Sequence, residues 1–182
     1  MLIYLAGAID LVDSKGRHGW REKMKNELAA RGMSSFDPST AFRFIARNHD
    51  DAAKLIRINR KAMLDSDIVV MVMGKSMPSV GTPMELYMCM EANHPVVVVW
   101  EPSIKSFDEE EPDKERSPLP AYISGFIHTH GLKVFTRFDE VLDYLVEYSR
   151  SKVHSGTIKM SDLAITADKL AGATEITSNK SL

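Results

Sequence analysis

The sequence predicts an α/β fold, a three-layer sandwich built on a five-stranded parallel sheet in the order 2-1-3-4-5. Three observations carry this expectation. The stretches 2–6, 68–73 and 95–100 are short and almost wholly apolar, as strands covered on both faces are. Between them lie segments whose apolar residues recur at helical spacing. Strands that alternate with helices imply right-handed crossovers, which place helices on both sides of a parallel sheet.

Each element follows from local chemistry. The first strand covers 2–6 and stops at Gly7, and a polar, glycine-bearing loop spans 10–19. Trp20, Met24 and Leu28 recur at i, i+4 and i+8 and mark one face of a helix that stops at Gly32. A short strand at 33–36 is ended by Asp37-Pro38. Asp50 or Asp51 caps a helix with the inward stripe Leu55, Asn59 and Met63. Asp67 leads into the strand 68–73. A helix then runs from Thr82 to Asn93, followed by the strand 95–100. The segment 101–118 is rich in charge and proline and reads as a solvated loop. A short helix at 119–126 precedes a last strand at 132–135. Phe138, Val141 and Leu145 then line a final helix to about Tyr148. Residues 1–150 form the expected domain, and 151–182, rich in Ser, Thr, Ala and Lys, a flexible tail or docking arm.

Composition narrows the function. A chain of 182 residues suits one domain with a real core. A net charge of −2 gives no reason to expect nucleic acid or an anionic membrane as partner. The single cysteine, Cys89, excludes an internal disulfide and a multi-cysteine metal site, and reads as a small buried hydrophobe. The six histidines are scattered, so no metal is expected. The apolar start lacks a basic leader, and no apolar run nears the roughly 18 residues of a membrane span. A cytoplasmic protein is the expectation.

The chemistry is expected where the strand order reverses. In open α/β sheets, ligands bind beyond the carboxyl ends of the strands at that switch point. Here it joins the Gly7 loop to Ser79-Val80-Gly81-Thr82-Pro83-Met84-Glu85, which follows the third strand. Glu85, a carboxylate in the first turn of its helix, is the candidate catalytic residue. The same stretch is also a capping box, with Thr82 at N-cap, Pro83 at N1 and Glu85 at N3. The two roles compete, because a glutamate bonded back to the Thr82 N–H is held away from a substrate.

Three separated segments, Tyr4 to Ala8, Asn59 to Asp67 and Ser79 to Glu85, resemble the nucleoside 2-deoxyribosyltransferase family and its 2'-deoxynucleoside 5'-phosphate N-hydrolase branch. The resemblance covers about residues 2 to 150. It implies a flavodoxin-like sheet order and an enzyme that cleaves or transfers an N-glycosidic bond. It makes Glu85 the nucleophile and Asn59 the residue that orients sugar or base. It places Tyr4, Gly7, Asp10 and Asp37 on the ligand side. It assigns the 5' end of the substrate to Ser79 and the Gly81–Thr82 backbone. Tyr122, in Leu119 to Gly125, matches a contact to a neighbouring subunit, so a homodimer or larger homo-oligomer is implied, with no cofactor. The family usually has aspartate where Asn59 stands, and its monophosphate hydrolases carry arginine where Asp10 stands. Ser79 points to a monophosphate substrate, Asp10 to an uncharged nucleoside. A nucleotide-binding sensor without catalysis is the alternative that Asn59 leaves open.

Overall fold

The computed structural model describes residues 1–9, 18–41, 49–74, 79–101 and 121–154. Asp10, the acidic loop at 102–118 and the tail beyond 154 therefore lie outside the described residues. Five strands form one parallel sheet: β1 (Leu2–Gly7), β2 (Ser34–Phe36), β3 (Ile68–Gly74), β4 (Val96–Glu101) and β5 (Lys133–Phe135). Their order is β2-β1-β3-β4-β5, as the alternation of elements predicts. Among the described residues six helices accompany them: α1 (Trp20–Ala30), α2 (Pro38–Ala41), α3 (His49–Leu64), α4 (Gly81–Glu91), α5 (Ala121–Thr129) and α6 (Phe138–His154).

Successive side chains of a strand point to opposite faces, and this period divides the core in two. Ile3, Leu5, Val70, Val72, Val97 and Val99 pack beneath α1 and α6, against Met24, Leu28, Val141 and Leu145. Tyr4, Ala6, Val69, Met71, Val98 and Trp100 pack beneath α3, α4 and α5, against Met63, Leu86, Cys89 and Ile127. Register is fixed by both neighbours of β1, since Tyr4 pairs with Phe36 on one side and with Val69 on the other.

Several details depart from the sequence expectation. Helix α3 begins at His49, so Asp50 and Asp51 sit in its first turn, where carboxylates favour the helix dipole. Asp37-Pro38 is more than a turn. Asp37 Oδ1 accepts the Ser39 N–H at 2.9 Å and the Ser39 hydroxyl at 2.6 Å, opening the short helix α2 with Pro38 as its first residue. Helix α6 continues past Tyr148 to His154. Gly32, at φ +70°, turns the chain out of α1 toward β2, a conformation that glycine adopts without strain.

Asp67 lies at the far end of the sheet from the candidate site. Its carboxylate accepts the Leu2 N–H at 2.6 Å, and its own N–H reaches the Leu2 carbonyl at 2.8 Å, joining the starts of β1 and β3. Gly7 closes the other end of β1 under a steric demand. A Cβ there would come within 2.8 Å of Trp20 Cζ2 and 3.2 Å of an Arg21 guanidinium nitrogen. Gly7→Ala should therefore destabilise the fold by about 1–3 kcal/mol in urea unfolding. The cost should shrink in a Trp20→Leu background, and equal costs in both backgrounds would contradict the clash.

Candidate active site

Tyr4 points from β1 toward the α3 and α4 layer, and its hydroxyl donates to Glu85 Oε1 at 3.1 Å. The Tyr4 ring is wholly buried and stacks on Phe36 with centroids 5.6 Å apart. Burial first, and the Glu85 charge second, raise the Tyr4 pKa, so the phenol stays a hydrogen-bond donor. Glu85 is partly buried. Dehydration pushes its pKa up to about 7, against the acidifying effects of the Tyr4 hydrogen bond and the Arg21 charge. Oε2 has no hydrogen-bond partner among the described residues.

This geometry corrects the capping box. Helix α4 starts at Gly81, two residues before the expected first helical position at Pro83, and Glu85 falls beyond the first turn. The Thr82 N–H is taken by Ser79 Oγ at 3.1 Å, and the Thr82 hydroxyl meets the same oxygen at 2.9 Å. Glu85 is thus released from capping and turned to Tyr4. A local rule gave way to a partner 81 residues away in sequence.

Ser79 is partly buried, with Val80 and Gly81 exposed beside it. Having accepted from Thr82, the Ser79 hydroxyl keeps its own proton to donate. A Cβ on Gly81 would meet Ser79 Oγ at 3.9 Å, an ordinary contact, so protein packing does not demand glycine there.

Helices α3 and α4 each run back between parallel strands and so lie parallel to one another. Cys89 Sγ meets Met63 Sδ at 3.4 Å. One turn earlier on each helix stand Glu85 and Asn59. Asn59 Oδ1 is buried with no hydrogen-bond partner among the described residues. Burial, and then Glu85, push the Cys89 thiol up to about 12, as expected of an inert structural cysteine.

Asp37 is buried at the end of β2, and its Oδ1 serves Ser39. The same oxygen lies 3.5 Å from Nε of Arg21, a fully buried residue that the sequence reading missed. Arg21, Met24 and Leu28 stand at i, i+3 and i+7, a helical stripe as good as the one through Trp20, and that spacing was the available signal. Gly7 belongs to this cluster, since its carbonyl accepts from Arg21 Nη2 at 2.8 Å.

Tyr122 stands apart from these groups, in the first turn of α5, and is 87% exposed. It neighbours Tyr87 of α4, whose ring packs toward Phe126 at 6.3 Å. Val80, just before α4, and Met84 and Tyr87 on it recur at i, i+4 and i+7 and are also exposed. Among the described residues, no cluster of His, Cys, Asp or Glu could hold a metal ion, and no helix is long and apolar enough to cross a membrane.

Glu85 also leaves a thermodynamic mark. Its folded pKa, about 7, lies above its ordinary 4.5, so between those values the folded chain holds a proton that the unfolded chain releases. Stability from this group is therefore lost as pH rises through that window. Relative to Glu85→Gln, the parent should lose about 1–3 kcal/mol between pH 5 and pH 8 in urea unfolding. Parallel curves for the two proteins would contradict a dehydrated carboxylate.

The sequence matches, over residues 1–103, the family described as nucleoside 2-deoxyribosyltransferase like. No curated protein matches it. Among solved structures, a 2-desoxiribosyltransferase from Leishmania mexicana is similar at 18% identity with a TM-score of 0.55, the match covering 80% of this chain and 97% of that one. A conserved protein from Enterococcus faecalis V583 is similar at 16% identity, also with a TM-score of 0.55, over 79% of this chain and 95% of that one. At such identities these two structures bear on the fold, and they share the parallel α/β architecture found here.

Proposed function

The chain belongs to the nucleoside 2-deoxyribosyltransferase-like family, and on that premise we propose that it cleaves or transfers the N-glycosidic bond of 2'-deoxynucleosides or their 5'-monophosphates, with Glu85 as nucleophile. The observation that carries this reading is the Glu85 carboxylate itself. It is dehydrated, held through one oxygen by Tyr4 of β1, and carried by α4, the helix that follows β3 across the switch point.

In this reading Oε2 attacks C1' as the bond to the base nitrogen breaks. The electron pair of that bond leaves with the base, which takes up a proton. The resulting glycosyl ester is opened by water, giving hydrolysis, or by a second base, giving transfer. Tyr4 orients the carboxylate and stabilises its charge through Oε1. Asn59, one turn along the neighbouring helix, offers a buried acceptor to an N–H or O–H of the substrate. An amide cannot act as an acid, so the proton for the leaving base comes from another group or from water. Ser79 and the exposed turn at Gly81 receive the 5' end, through the serine proton and the first-turn N–H groups. With the Thr82 N–H already engaged, its share in that contact falls to Gly81. No metal or redox cofactor enters this chemistry.

A second copy of the chain belongs to the same proposal. The exposed face of Val80, Met84, Tyr87 and Tyr122 begins beside Ser79, so a homodimer closing over it would bring Tyr122 toward a neighbouring site.

Chromatographic detection of free base from a panel of 2'-deoxynucleosides and their 5'-monophosphates, with and without an acceptor base, tests the reading. Turnover is expected, and Glu85→Gln should reduce it by at least about 10³-fold while remaining folded. The kcat/KM profile should rise with pH through about 7 as Glu85 ionises. Tight binding of a substrate without turnover would instead identify a nucleotide-binding sensor.

A further inference from the structure

We propose that Arg21, on the opposite side of the sheet from α4, is a positioning residue for Glu85: it gathers the last carbonyls of β1 and the Asp37 carboxylate around one buried positive charge, and so fixes the strand from which Tyr4 reaches Glu85. The inference rests on the reading of Glu85 as nucleophile.

The cluster is built rather than incidental. Arg21 has no exposed surface. Its Nε donates to the Leu5 carbonyl at 3.3 Å, Nη1 to the Ala8 carbonyl at 3.2 Å and Nη2 to the Gly7 carbonyl at 2.8 Å. Asp37 Oδ1 lies 3.5 Å from Nε, and the Trp20 ring covers the guanidinium at 4.5 Å. The Gly7 carbonyl and the residues beside it form the end of β1, where the strand would otherwise present unsatisfied acceptors. Only arginine has enough fixed donors to hold three carbonyls and an acid at once. Lysine keeps the charge but not this fork.

The same clamp determines where Tyr4 points. Leu5 follows Tyr4 directly, and its carbonyl is one of the three held. A β1 end free to shift would move the phenol relative to Glu85, which a different element, α4, carries. The charge has its own effect, because a buried cation is weakly screened. It opposes the dehydration of both Tyr4 and Glu85. Among the described groups, Tyr4 from β1 donates to Glu85 and Cys89 stands one turn along its own helix. The Arg21 charge acts on Glu85 from α1, and Asp37, from the end of β2, partly neutralises that charge.

The test measures Glu85 directly, by ¹³C NMR of glutamate-labelled protein with Glu85→Gln to assign the signal, alongside base release. In Arg21→Met the Glu85 midpoint should rise by about 1 pH unit, a tenfold loss of ionised Glu85 below that midpoint. In Asp37→Asn, which keeps an acceptor for Ser39, it should fall. Arg21→Lys should hold the midpoint nearer to the parent value yet lower kcat more than it alters KM. Should Arg21→Met fail to fold, the opposite shift in Asp37→Asn and the kcat loss in Arg21→Lys decide the matter. Folded variants with an unmoved Glu85 midpoint, and unchanged kcat in Arg21→Lys, would overturn the proposal. Absence of base release from the parent protein would count against the nucleophile reading alone, because the NMR midpoint is read without turnover.

Discussion

The hydrogen bond from Tyr4 to Glu85 depends on the parity of a single strand. In β1 the odd residues Ile3 and Leu5 face α1 and α6, and the even residues Tyr4 and Ala6 face α3 and α4. A slip of one residue would turn Tyr4 away from Glu85 and drive its ring into the wrong core. Pairing on both sides, to Phe36 and to Val69, prevents that slip. The same parity sends Gly7 toward Trp20, where there is no room for a Cβ. One strand thus supplies the donor that aims the carboxylate and the glycine that lets α1 close over its end.

Arg21 and Glu85 are both withdrawn from water, and each is tolerated for a different reason. Arg21 is solvated by carbonyl dipoles, an acid and an aromatic face. Glu85 has little beyond the Tyr4 hydroxyl, which is why its pKa lies so far above the ordinary carboxylate range. Such an under-solvated carboxylate weakens the fold, and in the proposed reaction it makes a sharper nucleophile, since fewer hydrogen bonds must be broken before attack. At the opposite end of the sheet Asp67 shows the contrast. Its carboxylate holds the Leu2 N–H and serves the fold.

The sheet was legible in the sequence because its strands are continuous apolar runs separated by helical periods, a pattern that few other architectures satisfy. Glu85 was legible as a candidate from its place at the switch point, and Tyr4 from the family resemblance. Their bond to each other was not, because local spacing favoured a capping box and nothing local could show that Ser79 would take the Thr82 N–H instead. Arg21 was hidden by its charge. A guanidinium beside an apolar stripe reads as solvated, and only the tertiary gathering of three carbonyls makes its burial tolerable. Asp37 looked like a turn or a ligand contact for the same reason, since its partners Ser39 and Arg21 come together only once β1 and β2 pair.

Intact-mass and peptide-mapping spectrometry of the protein trapped during turnover of a 2'-fluorinated deoxynucleoside, whose electron-poor sugar slows opening of the ester, addresses Glu85 most directly. A mass increase of one fluorinated sugar is expected, carried by the α4 peptide at Glu85 and missing in Glu85→Gln. Base release with no adduct, or an adduct on any other residue, would contradict it.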